Sequence, residues 1–174
     1  MPTGDNDNRI EILSARLALR PFTATDADEV FAAITPTLTR YMGWEPAPSQ
    51  EAFAEVWRAW LLTIRDGSDL HFVVRGRDKP RFLGLVGLHR ARSAEPELGI
   101  WIREDAHRNG YGREAIAAVV DWTGKHLAAE SFEYPVAEQN LASRRLAESL
   151  GGVEVSRRTA PKYNSVVYRI PPRR

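Results

Sequence analysis

The sequence predicts an α/β (α+β) fold: a seven-stranded, mostly antiparallel sheet flanked by about four helices, in the order β-α-α-β-β-β-α-β-α-β-β. Three observations carry this prediction. Seven short runs rich in branched and aromatic residues are bounded by turn-forming residues, and four longer segments repeat apolar residues at helical spacing. Three of the strand runs also follow one another across short polar turns, as in an antiparallel meander. With 174 residues and 43% hydrophobic side chains, a chain of this size buries roughly 70% of its unfolded surface and needs no covalent staple. No repeat, low-complexity block or linker divides it, so a single domain over 1–174 is expected. Residues 1–9 lack apolar pattern and Pro171 and Pro172 cannot continue a strand, so 1–9 and 171–174 are expected to be disordered tails.

Each element has a local reason. Leu17 and Leu19 alternate with Arg16, Ala18 and Arg20 between Ala15 and Phe22, which makes the first strand. Thr25 or Asp26 caps the first helix, Val30, Phe31 and Ile34 form its apolar face, and Pro36 stops it. Residues 35–49 hold three Pro and one Gly and read as a loop. That loop presents Tyr41 and Trp44, which either line a pocket or tuck the loop onto the core. Ser49 caps the second helix, whose apolar face is Phe53, Val56, Trp57, Trp60, Leu61 and Ile64. The meander follows as Leu70 to Val74, Phe82 to His89 and Leu98 to Ile102. A helix from Gly110 to Leu127 buries Ile116, Val119, Val120, Thr123 and Leu127. The strand Phe132 to Ala137 precedes a helix from Leu141 to Leu150, which Gly151 and Gly152 end. Strands Val153 to Arg158 and Ser165 to Ile170 close the chain.

Composition excludes several functions. The 24 basic and 23 acidic residues leave a net charge of +1, and interleaved charges give no basic field for a polyanion, so no nucleic-acid partner is expected. The segment MPTGDNDNR has no apolar run, and no stretch approaches the ~20 apolar residues of a membrane span, so the expectation is a cytoplasmic protein without a membrane partner. The chain has no Cys, which removes disulfide chemistry, thiolate metal sites and an acyl-cysteine intermediate. His71, His89, His107 and His126 show no metal-ligand spacing, and no metal is expected.

The segment most informative about chemistry is residues 97–122, ELGIWIREDAHRNGYGREAIAAVVDW. A strand ends in a polar loop, and Gly110 and Gly112 flank Tyr111 just before a helix. A helix start leaves four amides unpaired and carries about half a positive charge, while glycines let a phosphate approach the backbone. The same pattern also serves as a tight turn. It lacks the GK[ST] ending of a Walker loop and the three glycines of a dinucleotide fingerprint.

On these residues the chain resembles the GNAT acyl-CoA-dependent N-acetyltransferases, and within them the branch similar to the RimJ/RimL enzymes, over roughly residues 14–170. The family's loop of Gln or Arg, two residues, Gly, one residue, Gly or Ala falls on His107, Arg108, Asn109, Gly110, Tyr111 and Gly112. His107 departs from the usual Gln or Arg; an imidazole still donates to phosphate. The branch pattern of Asn, two residues, Ser and a helix ending in Gly falls on Asn140, Ser143 and Gly151. The tyrosine acid that other GNAT enzymes place on this helix is replaced by Ala147.

The resemblance implies a mixed sheet with acetyl-CoA in the cleft where the fourth and fifth strands splay. Its pantetheine would pair with backbone near Trp101, Ile102 and Arg103 and contact Asn140, and its pyrophosphate would sit on the amides of residues 108–113, Arg113 included. A primary amine would attack the thioester directly. At pH 7 an α-amine near pKa 8 costs about 1 to 1.5 kcal/mol to deprotonate, against about 4.6 for lysine. A weak base in the site would therefore favour an α-amine, and the implied acceptor is the N-terminus of a protein, such as a ribosomal one. Glu97 is the expected base, acting through a water, with Glu95 and Glu138 as alternatives; Ser143 is expected to serve the leaving thiolate. Tyr41 and Trp44 would decide the acceptor, since a closed aromatic box fits a small amine such as a polyamine, amino acid or aminoglycoside, and an open groove fits a peptide. A larger acyl group and a non-catalytic acyl-CoA sensor are the other readings. Relatives in this branch often form homodimers, but nothing in the sequence marks an interface.

Overall fold

A computed structural model describes residues 10–173; the expected tail at 1–9 and Arg174 lie outside the described residues. β1 (Ile12–Leu13) and β2 (Leu17–Pro21) form a hairpin, followed by α1 (Ala27–Ala33), α2 (Pro36–Thr39) and α3 (Gln50–Asp66). The meander is β3 (Leu70–Gly76), β4 (Phe82–His89) and β5 (Glu97–Ile102). Then come α4 (Tyr111–His126), β6 (Phe132–Ala137), α5 (Leu141–Ser149), β7 (Val153–Arg158) and β8 (Ser165–Ile170). The eight strands form one sheet ordered β1-β2-β3-β4-β5-β6-β8-β7. Arg173 Nε reaches Asp121 of α4 at 3.1 Å.

The α/β class and the mostly antiparallel sheet are as expected, with two additions. The strand count is eight rather than seven, because Ile12 and Leu13 pair with Leu19 and Ala18; two residues are too short for any periodicity to register. A fifth helix, α2, lies inside the predicted loop. Pro36 sits in its first turn, where the missing N–H costs nothing, and Thr35 Oγ1 accepts from Leu38 N at 3.1 Å. Pro36 therefore starts a helix as well as ending one. Asp26, one of the two expected caps, is the N-cap residue of α1, and its side chain closes a capping box with Thr23 around the turn Ala24–Asp26 that precedes the helix. Ser49 caps α3 as expected, accepting from Ala52 N at 3.0 Å.

Helices cover both faces of the sheet. On one face Ala115, Ile116, Val119 and Val120 of α4 and Ala147 of α5 pack on Leu98 and Ile102. On the other, Phe53, Trp57, Trp60 and Ile64 of α3 and Val30 of α1 pack on Phe22, Val73, Leu85 and Trp101. Trp60 meets Phe22 edge-on at 5.3 Å and Phe53 at 5.8 Å, each pair worth roughly 0.5–1.5 kcal/mol beyond its buried area. Val56, expected on the buried face of α3, is instead 44% exposed. Among the described residues no helix is long and apolar enough to cross a membrane.

The feature that positions the site is the junction of β5 and β6. β5 pairs with β4 along its whole length, from Gly84↔Ile102 to His89↔Glu97. The parallel pairing of β5 with β6 has one register pair, Glu97↔Glu133, so the strands diverge from Leu98 onward.

Candidate active site

The loop before α4 is built to leave amides free. Arg108 (φ 65°) and Gly110 (φ 76°) are both left-handed, a conformation whose amides converge on a concave anion-accepting surface. Gly110 takes it without the Cβ penalty. Among the described residues, no backbone carbonyl accepts from the amides of residues 108–113. Side chains hold the loop in shape. The Arg16 guanidinium lies 4.6 Å over the Tyr111 ring, donates to Asn109 O at 2.9 Å and pairs with Glu114 at 2.7 Å. Burial pushes the Glu114 carboxyl up, but hydrogen bonds from Ser14 and Arg16 outweigh it and hold the group below the usual carboxylate range. Asn109 Nδ2 donates to Ala106 O and His107 O at 3.0 and 3.1 Å.

His107 corrects an expectation. Its Nε2 lies 2.6 Å from Ile102 O; a carbonyl only accepts, so Nε2 carries the proton. The ring ties the end of β5 to the loop, which is a brace and not a phosphate donor through that nitrogen.

A cleft of about 500 Å³ opens from this loop into the splay, lined among others by Tyr41, Ile100, Tyr111, Gly112, Asn140 and Ser143. Its β5 wall is set by strand alternation. Arg103 N donates to Leu83 O of β4, and Glu133 N of β6 donates to Pro96 O. Odd-numbered main-chain groups of β5 thus face β4, and even-numbered ones, at Ile100 and Ile102, face the splay. Of the expected pantetheine positions, Ile102 presents main chain to the splay and Trp101 lines the cleft while its main chain faces β4; Arg103 lies outside the lining, since its O accepts from Ala106 N and its side chain turns to Asp105 at 2.7 Å. Arg113 Nε donates to Ser149 Oγ at 3.0 Å.

Across the cleft, Asn140 Oδ1 accepts from Ser143 N at 3.3 Å and caps α5. Tyr134 Oη donates to Ser143 Oγ at 3.4 Å. Burial pushes the Tyr134 hydroxyl up to about 12, so it stays protonated and remains a donor. The sequence reading missed Tyr134, which the alternation of FEYPV places beside α5 but does not mark as functional.

A second pocket, of about 440 Å³, lies on the α3 side and shares Met42, Ile100 and Trp101 with the cleft. Trp44, Phe53, Trp60 and Trp101 line it. Of the two residues expected to meet the acceptor, Trp44 lines this pocket and Tyr41 lines the cleft, with the Arg40 guanidinium 4.6 Å from its ring. Two histidines of adjacent strands also face this pocket. His71 stacks on Trp60 at 4.5 Å and meets His89 edge-on at 5.6 Å. Burial and the neighbouring His89 lower His71 to about 4, so it is neutral at pH 7. His89 Nδ1 lies 3.5 Å from Asp69 Oδ2.

Glu97 lines neither cavity. It sits at the closed end of the splay, where Arg158 Nη1 donates to its Oε1 at 3.3 Å. Glu95 and Glu138 are likewise engaged by Arg169 at 2.9 Å and Arg157 at 2.7 Å. A larger groove of about 660 Å³ runs between β1 and α4 and borders the loop at Gly110 and Arg113, lined by charges of both signs.

The comparisons with known proteins meet this geometry. Residues 16–153 match the model of the acetyltransferase (GNAT) domain. The chain belongs to the GNAT acetyltransferase family. A comparison with curated proteins returned no match. Among solved structures, a candidate ribosomal-protein-serine acetyltransferase from Vibrio cholerae is 25% identical with a TM-score of 0.80, covering 94% of this chain and 98% of that one. Spermidine N-acetyltransferase from Vibrio cholerae, in complex with CoA and spermine, is 21% identical with a TM-score of 0.78, covering 91% and 97%. RimL, a ribosomal L7/L12 alpha-N-protein acetyltransferase in complex with coenzyme A, is 14% identical with a TM-score of 0.83, covering 93% and 98%. This GNAT chain is an N-acetyltransferase that uses acetyl-CoA.

Proposed function

We propose that this GNAT enzyme acetylates a single primary amine carried on an apolar or aromatic body, which occupies the 440 Å³ pocket while acetyl-CoA lies in the splay. The wall of the pocket carries this reading. Four aromatic side chains surround it, and the one carboxylate in its lining, Glu45, is held by Lys162 Nζ at 2.6 Å. A polyamine would bring two or more further charges into that wall without partners, a desolvation cost of several kcal/mol each. An apolar pocket also lowers the pKa of a buried amine and so helps generate the neutral nucleophile.

In this reading the pyrophosphate rests on the amides of residues 108–113, with Arg108 at the rim, and pantetheine pairs with the main chain at Ile100 and with the N–H of Ile102, whose carbonyl His107 already holds. The amine nitrogen attacks the thioester carbon where the two cavities meet, the C–N bond forms, the C–S bond breaks, and Ser143, polarised by Tyr134, hydrogen-bonds the departing thiolate. A second reading keeps the RimJ/RimL-like branch and takes a protein N-terminus, whose first residue alone would fill the pocket; the 25% identity to the Vibrio cholerae protein favours it. Thiol release from acetyl-CoA separates them. Phenethylamine is expected to be turned over with a kcat/KM at least tenfold above spermidine and above a peptide beginning with Ser. A peptide or spermidine preferred by that factor overturns the proposal.

A further inference from the structure

We infer that His89, oriented by Asp69 and paired with His71, accepts the proton of the acceptor amine, in place of the carboxylate the sequence suggested. The inference rests on the acceptor reading above and names the base of that same site.

The geometry brings the ring to the reacting end of the pocket. Both His71 and His89 line it, as do Gly87 and Gly99. A Cβ built on Gly87 would stand 2.9 Å from His89 Nε2, and one on Gly99 would stand 4.0 Å from it. Glycine at 87 is thus what lets the imidazole lie across β4 toward β5, one residue from Ile100, where pocket and cleft share a wall. The opposite ring nitrogen, Nδ1, faces Asp69 Oδ2 at 3.5 Å. Asp69 is itself fixed, because its Oδ1 accepts from Arg90 N at 2.8 Å. A carboxylate at Nδ1 leaves Nε2 as the nitrogen with the free lone pair. Asp69 is a positioning residue by this account.

The other charged groups around the ring leave this role to His89. Glu97, its partner on β5, is engaged by Arg158, and Glu45 across the pocket by Lys162. On β3, His71 is held flat against Trp60 and meets His89 edge-on. Being neutral, His71 places no cation beside the proton that His89 takes up. The step balances as follows: the ammonium gives one proton to His89 Nε2, directly or through a water, the neutral nitrogen attacks the thioester carbon, the C–S bond breaks as the nitrogen gives up its second proton to the departing CoA thiolate, and His89 returns its proton to solvent. The net products are the amide, CoA thiol and one proton.

The test uses the full chain with acetyl-CoA and phenethylamine, with acceptor-free hydrolysis of acetyl-CoA as a second rate. His89→Gln is expected to lower kcat/KM for phenethylamine by about 10²-fold at pH 7, within the range of general-base catalysis. The deficit should shrink at least tenfold by pH 9.5, where the amine is increasingly neutral unaided. Asp69→Asn should give a smaller loss with the same pH trend. Thermal stabilisation by acetyl-CoA should be unchanged in both variants, and a chelator should not affect the wild type. A His89→Gln deficit independent of pH, a Glu97→Gln loss exceeding that of His89→Gln, or chelator-sensitive turnover overturns the inference. If no amine is turned over, the acceptor reading fails by itself; the base is then judged on hydrolysis, which His89→Gln should slow at least tenfold and must slow if Nε2 takes the nucleophile's proton.

Discussion

The cleft in the splay and the pocket beside it are built by opposite means. In the proposed reading the cleft's phosphate end is six consecutive residues that bind through main-chain amides, in a shape set by two left-handed positions and a few braces. The pocket is side chains from α3, β3, β4, β5 and the segment after α2, converging from across the chain. A backbone device tolerates side-chain change and asks only that the conformation persist. A side-chain device is open to substitution at every wall, and it fixes which amine is taken. The two regions share Met42, Ile100 and Trp101, so they should respond separately to mutation until a change reaches that shared wall.

The largest expected difference between them is in acid. His71 falls from 6.5 to about 4 on folding, so the unfolded chain binds its proton first. Its contribution is complete above about pH 6.5 and is lost as pH falls toward 4, an amount of about 3 kcal/mol. Denaturant unfolding at pH 7 and pH 4.5 should show His71→Asn to be much less sensitive than wild type over this window. Equal sensitivity would mean that the imidazole is not held neutral. In the loop, Gly110→Val forces a branched residue into a left-handed conformation at roughly 1–2 kcal/mol. It is expected to raise the KM for acetyl-CoA about tenfold or more with little change in the KM for amine. Smaller again, Ser143→Ala should lower kcat about tenfold, or roughly 1.4 kcal/mol, without raising the KM for acetyl-CoA. Tyr134→Phe, which removes only the donor to Ser143, should cost about 1 kcal/mol of stability and a few-fold in kcat.

The same contrast explains what could be read from the sequence. The loop before α4 and the Asn140 cap on Ser143 N were legible as structure because their pattern is local: glycines before a helix, and a cap three residues from the amide it accepts from. The helices other than α2 and most strands were legible from period. Strand alternation was needed to see that the main-chain groups of Ile100 and Ile102 face the splay while those of Trp101 and Arg103 do not, and it required knowing which neighbour each edge of β5 has. Glu97 stood next to the motif in sequence, yet the register sets it at the closed end of the splay against Arg158. His71 and His89 are eighteen positions apart and meet only because β3 and β4 pair. No spacing rule joins them, and reading the four histidines separately missed the pair. Tyr41 and Trp44, three residues apart, part at Met42 into different cavities.

The separation of the two cavities is tested most directly by one crossed initial-rate experiment on Trp44→Ala and Gly110→Val, with acetyl-CoA and phenethylamine varied together. Trp44 is 43% exposed, so its loss should leave the fold intact. Trp44→Ala is expected to raise the KM for amine about fivefold and leave the KM for acetyl-CoA within twofold, and Gly110→Val to do the reverse. If Trp44→Ala weakens acetyl-CoA as much as amine, the pocket is part of the cofactor site and the account is contradicted.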